Sequence, residues 1–198
     1  MTLFAFIDVE TTGLDPSSDY LLEIAWQITD EKFKPVTPLR NFIVDHGTNW
    51  GDVFAQIKSN EDVRNMHAAS GLAAELMTRA AYSEGAILSS FVGDVCDASY
   101  DFNDELLPIH FAGLSVSFDR SFLEQSMFND VINSNNYGFQ MHHRLLDLSS
   151  MKLFLTSQEI SWDKALNTTP HRAAQDVEET IGQARIFSAL LAPLKEVD

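Results

Sequence analysis

Two apolar runs near the start set the pattern. "LFAFIDV" (3–9) and "YLLEIAWQIT" (20–29) are short and rich in β-branched and aromatic residues, which predicts β-strands rather than helices. The intervening "TTGLDPSSD" supplies the Gly, Pro, Asp and Ser of a turn, and "RNFIVD" (40–45) predicts a third strand, completing a meander. From Glu61 to Ala98 the spacing becomes helical, with a break at "HAASGL" where Ser70 is placed to cap the next helix. "PIHFAGL" (108–114) predicts a buried strand, followed by a helix carrying Phe118, Phe122, Leu123 and Met127. "HRLLDLSSMKLFL" combines a short strand with a helix start. Ala173, Val177, Ile181, Ala184 and Phe187 mark one face of a long amphipathic helix over Arg172–Leu191. Strands first, then strands alternating with helices, imply an α/β fold with a mixed sheet flanked by helices.

Length and composition narrow this picture. A chain of 198 residues, 45% of them hydrophobic, is read as a single domain over 1–198, large enough to bury a proper core. No apolar run approaches a membrane span, and "MTLFAFIDVE" is expected to be a first strand rather than a leader segment. A lone cysteine, Cys96, excludes an internal disulfide and a multi-cysteine zinc site, and fits a reducing cytoplasm. The net charge of −16 comes from 29 acidic residues against 13 Lys and Arg, scattered along the sequence. Binding of a long nucleic acid through its backbone needs a basic stripe. Any nucleic-acid ligand is therefore expected to be gripped at few phosphates, with metal ions supplying much of the positive charge.

Candidate chemistry begins at "FIDVETTGLDP" (6–16). Strand alternation sends Asp8 and Glu10 to one face, and adjacent carboxylates raise each other's pKa unless a cation lies between them. Glu23, inside "LLEIAWQI", reads on its own as an acid facing solvent. Asp119 and Asp176 each fall near a helix N-terminus, where the helix dipole favours an acid. His171 lies five residues before Asp176. On a continuous helix that separation turns through about 500°, so the two side chains would face different ways. Pro170 places the helix start at or just after His171. His171 is thus expected on a loop or first turn, able to swing toward a site floored by Asp176.

Taken together these residues resemble the DEDDh branch of 3′-to-5′ exonucleases, with Asp8, Glu10, Asp119, His171 and Asp176 in that branch's order. Within it, the chain is most similar to the oligoribonuclease family, through "ETTGLDP", "LLEIAW", "MHAASGL", "GLSVSFDRSFL", "HRLLDLSSMK" and "HRAAQD". The resemblance implies a ribonuclease H-like fold and two divalent ions, Mg²⁺ or Mn²⁺. It makes Asp8 the bridging ligand, with Glu10 and Asp176 on the nucleophile-side ion and Asp119 on the other. Neutral His171 becomes the base that accepts a proton from water. The resemblance also implies Leu14 as a wedge between the two 3′-terminal bases and His67 near the substrate. Arg144, Ser115 and Ser149 become a cap on a 5′ phosphate, and a homodimer carries His143 into the neighbouring site.

Two positions depart from the family pattern. Asp62 stands where a tryptophan usually precedes the histidine of "H-x-x-S-G-L", with Trp50 further upstream, and His143 stands where a tyrosine usually precedes the capping arginine. The expected activity is metal-dependent 3′-to-5′ degradation of very short single-stranded RNA to nucleoside 5′-monophosphates, away from any membrane. The rivals are a broader exonuclease on single-stranded DNA or RNA, a nucleotide-binding module without catalysis, and an acidic interaction protein of similar fold.

Overall fold

The computed structural model describes residues 2–99, 107–126, 128–133, 139–160 and 171–192. The three expected strands form as β1 (Leu3–Thr11), β2 (Leu21–Thr29) and β3 (Arg40–Val44), an antiparallel meander. Three short helices follow, α1 (Trp50–Ser59), α2 (Glu61–Ala69) and α3 (Leu72–Thr78), then the two-residue strand β4 (Ala81–Tyr82) and α4 (Glu84–Ser99). The remainder comprises β5 (Ile109–Gly113), α5 (Val116–Glu124), α6 (Asn129–Asn133), β6 (Met141–Asp147), α7 (Leu148–Ser157) and α8 (Ala173–Leu191). The strand order is β4-β3-β2-β1-β5-β6, with β5 parallel to β1 and β6 parallel to β5. Among the described residues, no helix is long and apolar enough to cross a membrane.

The sheet is buried on both faces, and the alternation along β1 decides which residues reach the site. Leu3, Ala5, Ile7 and Val9 pack with Ile87, Phe91 and Val95 of α4 and with Val116 and Leu123 of α5. Phe6 packs the opposite way, with Ala25, Ala112 and the apolar stripe Ala173, Val177, Ile181, Ala184 and Phe187 of α8. Asp8 and Glu10 continue the Phe6 register, so the polar end of β1 opens onto the face covered by α8. Burial of each large aliphatic or aromatic side chain contributes about 1.5–3 kcal/mol, so the two packed layers fix the height of α8 above the sheet. A third cluster, Leu22, Ile43, Val53, Ile57, Leu72 and Leu76, seats α1 and α3 beside it.

Several local expectations are revised. Ser70 ends α2, and the residue that starts α3 is Gly71, at φ 78°. Only glycine enters the left-handed region freely; the chain reverses at Gly71, and the Ser70 hydroxyl accepts the Leu72 N–H at 3.4 Å, as expected of a cap on α3. No helix was expected between Asp45 and Glu61, yet α1 forms by burying Val53 and Ile57, one turn apart. Trp50 begins it, donating its indole N–H to Asp45 (3.2 Å) and stacking on Phe54, with ring centroids 5.6 Å apart. Met127 and Pro170 lie outside the described residues.

Candidate active site

Asp8 and Glu10 on β1 and Asp176 in the first turn of α8 each offer a carboxylate oxygen, and these three oxygens lie within 4.8 Å of one another. Asp119, in the first turn of α5, is buried and accepts the Val9 N–H at 2.9 Å, which ties α5 to the end of β1. His171 is exposed just ahead of α8, close enough to Asp176 to lower its pKa electrostatically. Asp8, Glu10 and Asp176 thus converge at one end of β1, with Asp119 tied to the same strand through Val9 and His171 within electrostatic reach of Asp176.

The electrostatics of this cluster are those of a site built for cations. Burial first, then the charges of Asp119, Asp176, Glu10 and Glu23, raise the Asp8 pKa far above the carboxylate range. Burial, Asp176 and Glu23 push Glu10 up to about 8, against the opposing charge of Arg172. Burial raises Asp176 to about 6. Asp119 is raised as well, chiefly by burial and despite the Val9 hydrogen bond. Without a cation, burial first and mutual repulsion second hold protons on these groups at pH values where ordinary carboxylates have lost them. Hard oxygen donors converging at this spacing suit a divalent cation.

Glu23 is not the solvent-facing acid read from sequence. It pairs across the ladder with Glu10 and is fully buried. Arg172 clamps it through Nη2 (2.9 Å) and Nε (3.2 Å), and the Ala173 N–H donates to it at 3.2 Å. Arg172 also reaches Glu75, at 2.6 and 3.0 Å, and Arg79 bridges Glu23, Glu75 and the Asn41 carbonyl. Basic residues scattered along the sequence therefore converge in space. This network holds the start of α8, with His171 on one side and Asp176 on the other. The signal in the sequence was an acid inside an apolar strand together with an arginine directly after the histidine.

The remaining expected residues fall into separate places. Leu14 is 83% exposed, which excludes a tuck into the core. It projects from a turn closed by Thr11 Oγ1 to the Gly13 carbonyl (2.6 Å) and Asp15 N–H to Asp19 (2.9 Å), where any Cβ at Gly13 would collide with the Asp19 carboxylate. His67 is fully buried behind the end of β1. Its Nε2 faces the Thr11 carbonyl at 2.9 Å, and its Nδ1, 3.9 Å from Glu10, has no hydrogen-bond partner among the described residues. Burial lowers its pKa, so the imidazole is neutral and the Glu10 contact is no ion pair. Asp62 is exposed in the first turn of α2.

Ser115 and Ser149 stand with hydroxyls 3.1 Å apart, at the starts of α5 and α7. Asp147 holds both, accepting the Ser115 N–H (3.1 Å) and the Ser149 N–H (2.8 Å). Ser115 is left-handed, at φ 53°, a conformation costing a non-glycine residue about 1–2 kcal/mol that the Asp147 bond offsets. His143 and Arg144 are exposed on β6.

The mixed sheet with its flanking helices is the ribonuclease H-like exonuclease fold. It is similar to the metal-free E. coli ExoI in its complex with single-stranded DNA, at TM-score 0.65 and 15% identity over 98% of this chain and 41% of that one. The chain spans about two fifths of the length of that solved structure. No protein-family model matches. By sequence the chain is similar to oligoribonucleases along nearly its whole length. It is 28% identical over 194 residues to "Oligoribonuclease" of Cutibacterium acnes, covering 96% of this chain and 86% of the relative. It is 27% identical over 191 residues to "Probable oligoribonuclease" of Dictyostelium discoideum, covering 92% and 86%.

Proposed function

We propose that the chain is a 3′-to-5′ exoribonuclease that degrades very short RNA oligonucleotides to nucleoside 5′-monophosphates, acting as a single exonuclease domain in the cytoplasm. The convergence of the Asp8, Glu10 and Asp176 carboxylates within 4.8 Å carries this reading, in a chain similar to oligoribonucleases almost end to end. A purely nucleotide-binding module has no need of three converging acids with a fourth, Asp119, tied to the same strand and a histidine beside them.

Asp8, Glu10 and Asp176 would hold one divalent ion, with Asp8 shared toward a second at Asp119. Two such ions supply the positive charge that makes a water nucleophilic and stabilises the leaving alkoxide. His171, exposed and adjacent, accepts the water's proton in its neutral form. Leu14, held out from its turn, wedges between the two terminal bases. Arg144, with the paired hydroxyls of Ser115 and Ser149, caps the 5′ phosphate; a planar guanidinium suits that anion because each N–H adds a charge-assisted bond. His67 supports the substrate side from behind Glu10, and His143 reaches the neighbouring site of a homodimer.

The test is a side-by-side digestion of a 5′-phosphorylated RNA dinucleotide, a long single-stranded RNA and a long single-stranded DNA, with Mg²⁺ or Mn²⁺. The dinucleotide is expected to be consumed fastest. Equal rates on long RNA and DNA would instead identify a broad exonuclease, as the likeness to a DNA-bound fold relative would favour.

A further inference from the structure

The exposed end of the sheet contains an irregularity that bears on Arg144. β6 is an edge strand, and its pairing with β5 runs from His110↔His142 to Ala112↔Leu146. Between these pairs β5 has Phe111 alone, whereas β6 has His143, Arg144 and Leu145. The extra residues bulge out of the ladder, a device that re-aims side chains at sheet edges. A bulged peptide loses its ladder partners and needs others. Here two imidazoles supply them. The Arg144 N–H donates to His142 Nδ1 at 3.0 Å, and His110 Nδ1 lies 3.0 Å from the Arg144 carbonyl. The two rings are in contact, with centroids 4.2 Å apart, and His143 stacks on His142 at 4.4 Å.

The two histidines differ in what a proton does to them. His110 faces a carbonyl, so its Nδ1 donates whether the ring is neutral or charged. His142 faces an N–H, so its Nδ1 must carry a lone pair, and protonation turns the contact into two opposed donors. We propose that His142 is a positioning residue for 5′-end selection: its neutral imidazole latches the Arg144 peptide in the bulge, and a proton on it releases the arginine from the terminal phosphate. This rests on Arg144 as the 5′-phosphate cap.

The surroundings keep the latch closed at neutral pH. Partial burial, followed by the positive charges of His110 on β5 and of His143 and Arg144 on β6, lowers the His142 pKa below the ordinary histidine range. On α5, packed against β6, Arg120 donates to the His143 carbonyl at 3.4 Å and pairs with Glu124 at 2.8 Å. α6, also packed on β6, carries the exposed Asp130. The sequence departure at His143 thus belongs to a run of histidines that changes how the arginine beside it is held.

The experiment compares kcat/KM on 5′-phosphorylated and 5′-hydroxyl RNA dinucleotides, expressed as a ratio, at about pH 8 and about pH 5.5, on either side of the ordinary histidine pKa. Four proteins are used: the unaltered chain, Arg144→Ala, His142→Phe and His142→Asn. Phenylalanine keeps the ring stack and removes the acceptor. Asparagine offers a carbonyl oxygen at similar reach that does not titrate. His142→Phe is expected to lower the ratio about 2- to 10-fold at the higher pH, the loss of one neutral hydrogen bond. His142→Asn is expected to keep the ratio at both pH values, while the unaltered chain loses it on acidification. Those two proteins differ at position 142 alone and act on the same substrates, so their difference isolates His142. A full ratio in His142→Phe at the higher pH overturns the inference, as does a parallel fall in His142→Asn and the unaltered chain. If Arg144→Ala itself leaves the ratio intact, the cap reading fails, and the latch with it; if Arg144→Ala abolishes the ratio and the His142 variants do not respond as stated, the latch alone fails.

Discussion

At the scale of single residues, the acids of the site behave as a group whose charge awaits a cation. Their raised pKa values have a consequence for the metal-free protein. Glu10 holds its proton up to about 8 against an ordinary 4.5, and Asp176 up to about 6 against 3.8. Between those limits the native state keeps protons that the unfolded chain has shed. Stability therefore falls as pH rises through the window, because the native state is the one binding more protons. Asp176→Asn removes one of these charges. In chelator its melting temperature is expected to exceed that of the unaltered chain by more at pH 8 than at pH 5; a gap that narrows with pH would contradict the assigned shifts. The same variant is expected to lose nearly all hydrolysis. His171 is tested separately: His171→Ala should lower turnover by roughly 10²- to 10⁴-fold with metal binding kept. The acidic limb of the pH profile should change with it, because a general base acts only in its unprotonated form. Calorimetric titration with Mn²⁺ reads the binding, and a collapse of affinity with the limb intact would make His171 a ligand instead of a base.

At the scale of elements, what matters is how α8 is tied to the sheet. Glu23, Arg172, Glu75 and Arg79 join β2, α3 and the start of α8 in one charge network whose centre is fully buried. Removing Glu23 leaves both arginines their contacts with Glu75, so the cost is that of the charged hydrogen bonds lost, about 1.5–3 kcal/mol. Glu23→Ala also takes the acceptor from the Ala173 N–H. Its thermal or denaturant unfolding is expected to show a loss of that size, whereas a loss below about 1 kcal/mol, typical of an exposed pair, would deny the network its role. This is also the part of the site that was least legible in sequence. Asp8, Glu10, Asp119, His171 and Asp176 could be named as candidates only together, because their order and local contexts resemble those of a known family. Glu23 could not, because its meaning depends on two arginines far away in the chain. The helix α8 and the strands β1 and β2 were legible because each buries a long apolar run, and the five-residue β3 and β5 because each is a compact apolar segment. α1 was not, since it buries only Val53 and Ile57, and β4 is two residues long. The bulge in β6 left no trace in the hydrophobic pattern, because the residues it displaces are His143, Arg144 and Leu145.

At the scale of the whole molecule, charge and architecture point the same way. A chain of net charge −16 is poorly suited to holding a long polyanion along its backbone, so on the proposed reading affinity is expected to concentrate at a metal cluster and a few end-specific contacts. The strand order sets the cluster at the end of central β1 and leaves β6, with His143, at an edge. A homodimer sharing sites through that segment is the expected assembly, and sedimentation showing a fully active monomer at assay concentration would rule the sharing out. The central claim is removal of nucleotides from the 3′ end by a carboxylate-held metal. Its most direct test follows 5′-end-labelled short RNA on a sequencing gel, first in chelator and then after adding Mn²⁺, with Asp8→Asn in parallel. The expected result is no cleavage in chelator, stepwise shortening from the 3′ end once metal is present, and no shortening with Asp8→Asn. Internal fragments, shortening in chelator, or full activity of Asp8→Asn would contradict it.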